Sequence, residues 1–278
     1  MDGGSAYEDL GELYDVWCAE VAEDLPFYTQ LADALAAELG RPTLDIVELG
    51  AGSGRITSHL AAAGHRVTAI DLATSQLEVL RDRTSHTESP PIVVAGDMRD
   101  VATLVPLGSS DLVLVPFRGL LHVTTDRDAL FADVIRVLRP GGVFAFDVFH
   151  PTDAQVAATG DRWLHRRLEP TATGRWRFDE RATYARRSDG WDLRVDVRCR
   201  WEATKRLRRP RVDVRADPSV DAPTERHALL HLHTVEHAEW GASLTAAGFE
   251  LDGSYGWFDG RPLSVGDDDA IWVARSAH

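Results

Sequence analysis

The stretch Val47–Arg55, VELGAGSGR, decides the fold of this chain. It begins inside a short, almost purely apolar run at 44–49, which is typical of a strand buried on both faces of a parallel sheet. The run ends at Gly50, Gly52 and Gly54, and a helix is predicted at 55–63. Glycines at such a turn let the backbone approach a bound cofactor, and the helix N-terminus supplies amide donors. The stretch therefore predicts a ligand site, with a plain glycine turn as the alternative.

The same strand and helix rhythm continues through the first 150 residues. Apolar, β-branched runs predict strands at 67–70, 92–94, 112–115 and 143–148, and periodic segments predict helices at 75–83 and 126–138. Units this short imply right-handed crossovers between parallel strands. The sequence therefore predicts an α/β fold with a Rossmann-like, doubly wound sheet, whose core spans residues 41–150.

The segments on either side of this core have a different texture. Residues 1–40 read as two helices interrupted at Pro26 and are predicted to form an N-terminal helical lid. Residues 151–234 alternate polar and apolar positions, which predicts a small antiparallel β cap inserted after the fifth strand, with a polar loop at 205–223. Residues 235–278 are predicted to return to the core sheet, which then has seven strands.

Composition excludes several classes of protein. The chain has 278 residues, 44% of them apolar and 27% charged, which is ordinary globular composition. No apolar run reaches the ~18 residues that cross a bilayer, and the start is acidic, so neither a transmembrane helix nor a signal peptide is expected. The predicted location is the cytoplasm. Cys18 and Cys199 are too few and too far apart in sequence for a metal knuckle or a disulfide framework.

The charge balance argues against nucleic acid as a partner. The formal net charge is -14, which repels phosphate backbones. Arginines crowd the segment 162–215, but aspartates and glutamates interleave with them, as on a solvated sheet surface. We therefore expect a small-molecule partner, with the chain acting as a monomer or a homodimer.

Further motifs follow the later strands at the same edge of the sheet. Asp71 ends the second predicted strand, where a carboxylate can accept both hydroxyls of a ribose. Asp97 and Met98 follow the third, where a carboxylate can accept from an adenine amino group and a thioether can lie on the purine. This geometry serves both nicotinamide dinucleotides and S-adenosylmethionine. A dinucleotide fingerprint beginning at Gly50 needs its third glycine at position 55, which is Arg55.

The spacing GxGxG at Gly50–Gly54, preceded by Glu48, resembles the first motif of class I S-adenosylmethionine-dependent methyltransferases. The carboxylates after the second and third strands, and LRPGG at Leu138–Gly142, match that family's later motifs in order. The resemblance implies S-adenosylmethionine as cofactor and S-adenosylhomocysteine as product. The cofactor contacts that it implies are Tyr14, Glu48, Gly50, Ala51, Gly52, Gly54, Asp71, Leu72, Asp97 and Met98. Phe117 is a further candidate contact because it follows the fourth strand, at the edge of the sheet where ligands sit, although relatives often have a small or amide residue in this loop.

Tyr14 and Asp15, followed by DLPFY at Asp24–Tyr28, look like the N-terminal lid of bacterial small-molecule methyltransferases. That group is similar to glycine N-methyltransferase and to the N-methyltransferases of antibiotic pathways. The resemblance implies that the lid covers the methionine end of the cofactor and part of the acceptor pocket. Tyr14 and Tyr28 thereby become candidate contacts, and the alternative is that they are core aromatics of an amphipathic helix.

Three residues are candidates for the catalytic step: His122, His150 and Tyr28. His122 follows the fourth strand and His150 the fifth, where ligands sit in a doubly wound sheet. Either imidazole could act as a general base, and either could have a structural role instead, such as a helix cap at His122. His231 and His233 alternate on a predicted strand, and for them a pocket role is preferred to a metal site because a third ligand is not evident.

The acceptor class follows from the chemistry of methyl transfer. A neutral amine needs desolvation and alignment, a hydroxyl needs a base, and a ring carbon needs a stacked, electron-rich arene. Aromatic side chains are abundant around the predicted site, so nitrogen or aromatic carbon, as in an amine or an indole, is predicted ahead of oxygen. A non-catalytic regulatory protein that binds the cofactor is the competing class.

An amino-methyltransferase of DNA is expected to carry a motif of the form Asp/Asn-Pro-Pro-Phe/Tyr after the fourth strand. The sequence there is VPFRG at 115–119, which has one proline and no amide side chain, so it matches that class poorly. Scarce lysine beside abundant arginine and alanine indicates a GC-rich bacterial genome. That origin fits secondary metabolism such as antibiotic biosynthesis.

Overall fold

The structure, a computed structural model, describes residues 3–11, 13–18, 22–159, 163–168, 174–203 and 224–277. Its helices are α1 (Gly3–Leu10), α2 (Leu13–Trp17), α3 (Asp24–Glu38), α4 (Arg55–Ala62), α5 (Thr74–Thr84), α6 (Val101–Leu104), α7 (Arg127–Val137), α8 (Asp153–Ala157) and α9 (His237–Ala247). Its strands are β1 (Asp45–Leu49), β2 (Arg66–Asp71), β3 (Ile92–Ala95), β4 (Ser110–Val115), β5 (Leu138–Phe149), β6 (Leu164–Arg167), β7 (Gly174–Arg186), β8 (Gly190–Ala203), β9 (Glu225–Val235), β10 (Phe249–Tyr255) and β11 (Asp269–Ser276). Short 3-10 turns lie at Met98–Asp100 and Gly119–His122.

A seven-stranded mixed sheet with the order β10-β11-β5-β4-β1-β2-β3 forms the centre of the molecule. Strands β1 to β5 pair in parallel, while β11 pairs antiparallel with both β5 and β10. Because β1 lies between β2 and β4, the chain builds one side out to β3 and then returns to build β4 and β5 on the other. Ligands bind outside the carboxyl ends of the strands at such a switch point. The predicted Rossmann-like fold is confirmed.

Helices cover both faces of this sheet, which explains why its strands read as continuous apolar runs. Every position of β4 is buried. On one face, Phe131 of α7 lies 5.6 Å from Phe144 of β5 between ring centroids. Trp240 of α9 lies at the same distance, 5.6 Å, from Phe146. Helices α3 and α4 supply the core on the opposite face. This packing fixes the strand ends that carry the site.

The antiparallel sheet has the order β6-β7-β8-β9 and is inserted between β5 and α9, as predicted. Its two long central strands pair from Gly174 with Ala203 to Arg186 with Trp191. Charged residues interleave along them, and many form ion pairs across the sheet. Helix α1 packs against this sheet through an apolar cluster that includes Leu10. The cap therefore supports the N-terminal helices beside the central sheet.

The N-terminal region differs from the prediction. Its described residues form three helices rather than two, and Pro26 lies in the first turn of α3 rather than between helices. Proline is tolerated there because its missing N–H would have no partner within the helix. The predicted loop at 205–223 lies outside the described residues. The domain boundaries given above stay predictions.

Two further findings concern the part of the chain that the structure describes. None of its helices combines the length and the apolar character needed to span a bilayer. Cys18 and Cys199 are both buried free thiols. Burial raises the pKa of each thiol to about 12. Neither thiol is therefore a reactive nucleophile at neutral pH.

Candidate functional site

The turn after β1 is shaped by glycines. Gly50, Gly52 and Gly54 have φ values of 71°, 55° and 80°, in the left-handed region that strains L side chains. At Gly54 an added Cβ would lie 2.5 Å from Leu80 Cγ, so glycine allows α4 to begin this close to α5. At Gly52 an added Cβ would meet Tyr14 Cε1 at 3.8 Å, an ordinary contact. The turn is tight against α5 and more open towards the N-terminal helices.

Two predicted carboxylates lie beside this turn and are held differently. Asp71, at the end of β2, accepts the backbone N–H of Gly52 and that of Ala73, both at 2.8 Å. Burial raises the pKa of Asp71. Asp97 forms an ion pair with Arg99 Nη2 at 2.5 Å, and the hydrogen bond from that side chain lowers the pKa of Asp97. Asp71 thus fixes the glycine turn, and Asp97 lies ionised beside a guanidinium group.

These residues border a pocket of about 230 Å³ at the switch point of the sheet. The predicted cofactor residues that line it are Tyr14, Gly50, Gly52, Asp71, Leu72, Asp97, Met98 and Phe117. Other lining residues include Tyr7, Gln76, Pro116, His122, Thr124 and His231. The predicted residues Glu48, Ala51 and Gly54 are not part of the lining. One pocket therefore joins the glycine turn to the loop after β4.

Glu48 lies beneath the glycine turn. It stands on β1, is 1% exposed, and accepts the hydroxyl of Thr57 in α4 at 2.5 Å. Burial raises the pKa of Glu48 to about 8. The carboxyl is therefore mostly protonated at neutral pH, and it ties β1 to α4 without adding a full charge below the pocket.

His122, one of the three predicted catalytic residues, lines the pocket. Its Nε2 lies 2.8 Å from the hydroxyl oxygen of Tyr7 in α1, within hydrogen-bond distance. Burial lowers the pKa of His122 to about 4, so the imidazole is neutral at physiological pH. Sequence reasoning missed Tyr7, because this pairing joins residues 115 positions apart. The amphipathic pattern of the first helix does not indicate that this helix contacts the loop after β4, which carries His122.

His150 and Tyr28 are placed outside the described lining of this pocket. His150 follows β5, and its Nε2 lies 3.0 Å from Oε2 of Glu236. Tyr28 of α3 is fully buried and donates its hydroxyl to Oδ1 of Asp147 at 2.6 Å. His150 thus connects the end of β5 to the segment before α9, and Tyr28 connects α3 to β5.

The loop after β4 carries backbone strain next to the pocket. Phe117 and Arg118 have φ values of 55° and 59°, a region that costs an L residue ~1–2 kcal/mol. Asp147 accepts both of their N–H groups, that of Phe117 at 2.7 Å and that of Arg118 at 2.8 Å. Burial raises the pKa of Asp147 to about 6. In this conformation the Phe117 ring makes an edge-to-face contact with Tyr14 at 6.3 Å.

The N-terminal helices are anchored beside the glycine turn. Glu8 of α1 accepts the backbone N–H groups of Thr74 and Ser75 at the start of α5. Asp15 of α2 forms an ion pair with Arg83 of α5. These polar contacts hold the segment that carries Tyr7 and Tyr14 against the pocket.

His231 and His233 have separate surroundings. His231 lines the pocket, whereas His233 is buried with its Nδ1 2.9 Å from Oδ1 of Asp192. Among the described residues, no group of three or more His, Cys, Asp or Glu side chains is placed to hold a metal ion. The pocket position of His231 leaves it available to a bound molecule.

The residues around the pocket fit the chemistry of S-adenosylmethionine. The Asp71 carboxylate accepts two amide N–H groups and keeps further lone pairs for ribose hydroxyls. The Met98 thioether and the rings of Tyr14 and Phe117 offer apolar faces. The cavity of about 230 Å³ is below the ~300–1,000 Å³ typical of ligand sites.

Comparison with known proteins agrees with this geometry. A family model described as a methyltransferase domain matches residues 46–142. The demethylmenaquinone methyltransferase of Streptomyces avermitilis is 31% identical over 173 residues, which cover 60% of this chain and 69% of that protein. The Bacillus subtilis protein YqeM is 31% identical over 146 residues, which cover 51% of this chain and 55% of that protein. The chain thus spans about half the length of YqeM.

Solved structures of other proteins share the whole fold. The CcbJ methyltransferase from Streptomyces caelestis has a TM-score of 0.73 at 20% identity, and the match covers 98% of each chain. CalS10, an amino pentose methyltransferase from Micromonospora echinaspora, has a TM-score of 0.65 at 19% identity, covering 95% of this chain and 96% of that one. At these identities the likeness shows a common architecture.

Proposed function

This chain belongs to the S-adenosylmethionine-dependent methyltransferases, and we propose that it methylates a nitrogen or an electron-rich aromatic carbon of a small molecule, such as an amine or an indole. One observation carries the choice of acceptor. The weakly basic imidazole of His122 lies in the same pocket as the glycine turn and contacts the Tyr7 hydroxyl.

The cofactor supplies a methyl group bound to a sulfonium sulfur, and when the acceptor takes the methyl group the rest of the cofactor leaves as a thioether. The residues that would hold it are the predicted ones that line the pocket, with Asp71 for the ribose and Met98 for the purine. The chain's remaining task is to align the acceptor and to exclude water. Tyr7 and Tyr14, carried by the N-terminal helices, serve that purpose together with Phe117.

The low pKa of His122 supports an acceptor that needs no general base before methyl transfer. A phenol has a pKa of about 10 in water, and burial lowers the pKa of His122 to about 4, so its imidazole is a weak base for the proton of a hydroxyl acceptor. A hydroxyl acceptor that relies on His122 as general base is therefore disfavoured. A neutral amine or an electron-rich ring attacks with its own electrons and loses its proton after the methyl group has been transferred. A neutral imidazole next to a phenol hydroxyl suits such an acceptor, because it adds hydrogen bonding without charge.

The lining also favours an uncharged acceptor. Its acidic residues are Asp71, which binds backbone amides, and Asp97, which is paired with Arg99. Because Asp71 is assigned to the ribose of the cofactor and Asp97 is paired with Arg99, neither carboxylate is assigned to an ammonium group of the acceptor. Aromatic rings at Tyr7, Tyr14 and Phe117 supply a surface on which a flat acceptor can pack.

We place the enzyme in bacterial secondary metabolism, such as antibiotic biosynthesis, acting in the cytoplasm as a monomer or a homodimer. The structural neighbour CalS10, which its own description assigns to an amino pentose and to calicheamicin biosynthesis, supports this setting. The net charge of -14 supports a small molecule over nucleic acid as the partner. The alternatives are an O-methyltransferase of a small molecule and a non-catalytic regulatory protein that binds the cofactor.

The proposal is tested by incubating the chain with S-adenosylmethionine and a panel of amines, indoles and phenols, with mass spectrometry of the products. We expect methylation of an amine or an indole, and His122→Gln retains that activity within about tenfold because no general base acts before transfer. His150→Gln, outside the described lining, is the matched control.

Two results would overturn the proposal. Methylation of phenols alone, with a loss of about 10²–10⁴-fold in His122→Gln, indicates an O-methyltransferase with His122 as base. Cofactor binding without methylation of any acceptor in the panel favours the regulatory protein.

A further inference from the structure

The loop that follows β4 adopts a conformation its own residues disfavour. Phe117 and Arg118 are consecutive, neither is glycine, and both have positive φ values of 55° and 59°. Such strain persists where surrounding groups hold it in place, and it concentrates at binding sites. Phe117 lines the cofactor pocket, while the Arg118 guanidinium points to Asp269, 2.5 Å away.

A single side chain holds both strained residues. Asp147 stands at a buried position near the end of β5, between Phe146 and Val148, in a strand that is otherwise apolar there. Its Oδ1 accepts the N–H of Phe117 and its Oδ2 accepts the N–H of Arg118. The hydroxyl of Tyr28 supplies a third hydrogen bond, to Oδ1. A buried carboxylate is retained where its hydrogen bonds are satisfied, and here two of them come from the strained loop.

We propose that Asp147 is a positioning residue for the cofactor site: it fixes the Phe117–Arg118 backbone and thereby directs the Phe117 ring into the pocket. Tyr28 acts one step further back, by orienting the Asp147 carboxylate. This assignment gives Tyr28 a role through Asp147 rather than through contact with a bound molecule. It does not depend on which acceptor atom is methylated.

The geometry explains why a carboxylate stands at this position. Two neighbouring N–H groups that point the same way need two acceptor oxygens, and a carboxylate presents them as a pair. The isosteric asparagine has one acceptor oxygen and turns an NH2 group towards the other amide. In the native structure the Phe117 ring contacts Tyr14, and its centroid lies 5.0 Å from the Arg55 guanidinium carbon. In the asparagine variant the loop relaxes to ordinary negative φ values, and Phe117 loses both contacts.

The test measures S-adenosylhomocysteine binding by calorimetry in a set of variants, so it requires no acceptor. Asp147→Asn is made in the native chain, in Arg118→Gly and in Arg118→Ala. Both arginine variants lose the ion pair with Asp269, but only glycine takes a positive φ without strain. We expect Asp147→Asn to weaken binding by on the order of tenfold in the native and Arg118→Ala chains, and by about threefold or less in Arg118→Gly.

An equal loss in all three backgrounds, or unchanged affinity in each, would overturn the proposal and leave Asp147 a core polar residue. A second measurement decides the matter if Asp147→Asn does not fold. The thermal midpoint of Arg118→Gly is expected to exceed that of Arg118→Ala, the reverse of the usual order for glycine and alanine, and the usual order would contradict the strain on which the proposal rests. Failure of the native chain to bind the probe would instead bear on the cofactor assignment.

Discussion

Replacing Glu48 with glutamine should make the protein more stable at alkaline pH. The Glu48 carboxyl lies fully buried on β1 and accepts the hydroxyl of Thr57. The glutamine amide fits the same space, since it is isosteric with the carboxyl group and its oxygen can accept the same hydrogen bond. The substitution therefore removes one property of the site, which is its ability to ionise.

The sign of the effect follows from the pKa. Burial raises the pKa of Glu48 from 4.5 to about 8, so the folded state holds its proton more tightly than the unfolded state. The contribution of protonated Glu48 to the free energy of unfolding is fully present below pH 4.5 and is lost as the pH rises through about 8. At 1.36 kcal/mol per pKa unit, the full shift corresponds to about 5 kcal/mol, an upper limit because the structure relaxes around the charge.

Urea denaturation at pH 5 and at pH 9 measures the effect. We expect Glu48→Gln and the native chain to differ little at pH 5, and the variant to be more stable by several kcal/mol at pH 9. Glu78→Gln, at an exposed position of α5, corrects for the loss of one negative charge. A difference that is independent of pH, or one that favours glutamate at pH 9, would refute the raised pKa and show that Glu48 is ionised beneath the glycine turn.

Two further substitutions test other contacts of the fold. Tyr28→Phe should lower the free energy of unfolding by about 1.5–3 kcal/mol in urea denaturation, because it removes a hydrogen bond to the buried Asp147 carboxylate; an unchanged value would contradict that bond. Gly54→Ala should lower the thermal midpoint far more than Gly141→Ala. Both glycines have positive φ, but an added Cβ meets Leu80 at 2.5 Å in the first case and open space in the second, so equal losses would contradict the packing.

Much of the fold could be predicted because its signals are local. The apolar run that leads into VELGAGSGR is typical of a buried strand that ends in a glycine turn. In residues 174–203 the alternation of polar and apolar residues shows the two-residue period of a β-strand. The prediction for Pro26 is wrong because a proline in the first turn of a helix and a proline between two helices look the same in sequence. The helix boundary there depends on packing that no local pattern reveals.

The site was less accessible to sequence reasoning, because its pairings join distant residues. Tyr7 meets His122 across 115 positions, and Tyr28 meets Asp147 across 119. Asp147 did leave a signal, a lone carboxylate inside the apolar run FAFDVF, which indicates a buried group that needs hydrogen-bond partners. The identity of those partners required the positions of β4 and α3 beside β5.

The most direct test of the cofactor site is calorimetric titration of the native chain and of Asp71→Ala with S-adenosylmethionine, S-adenosylhomocysteine and NADH. Asp71 holds the glycine turn through Gly52 and borders the pocket, so its loss removes both a ribose acceptor and the shape of the turn. We predict micromolar binding of the two adenosyl compounds to the native chain, lost in Asp71→Ala, and no binding of NADH. Binding of NADH, with no binding of either adenosyl compound, would contradict the account.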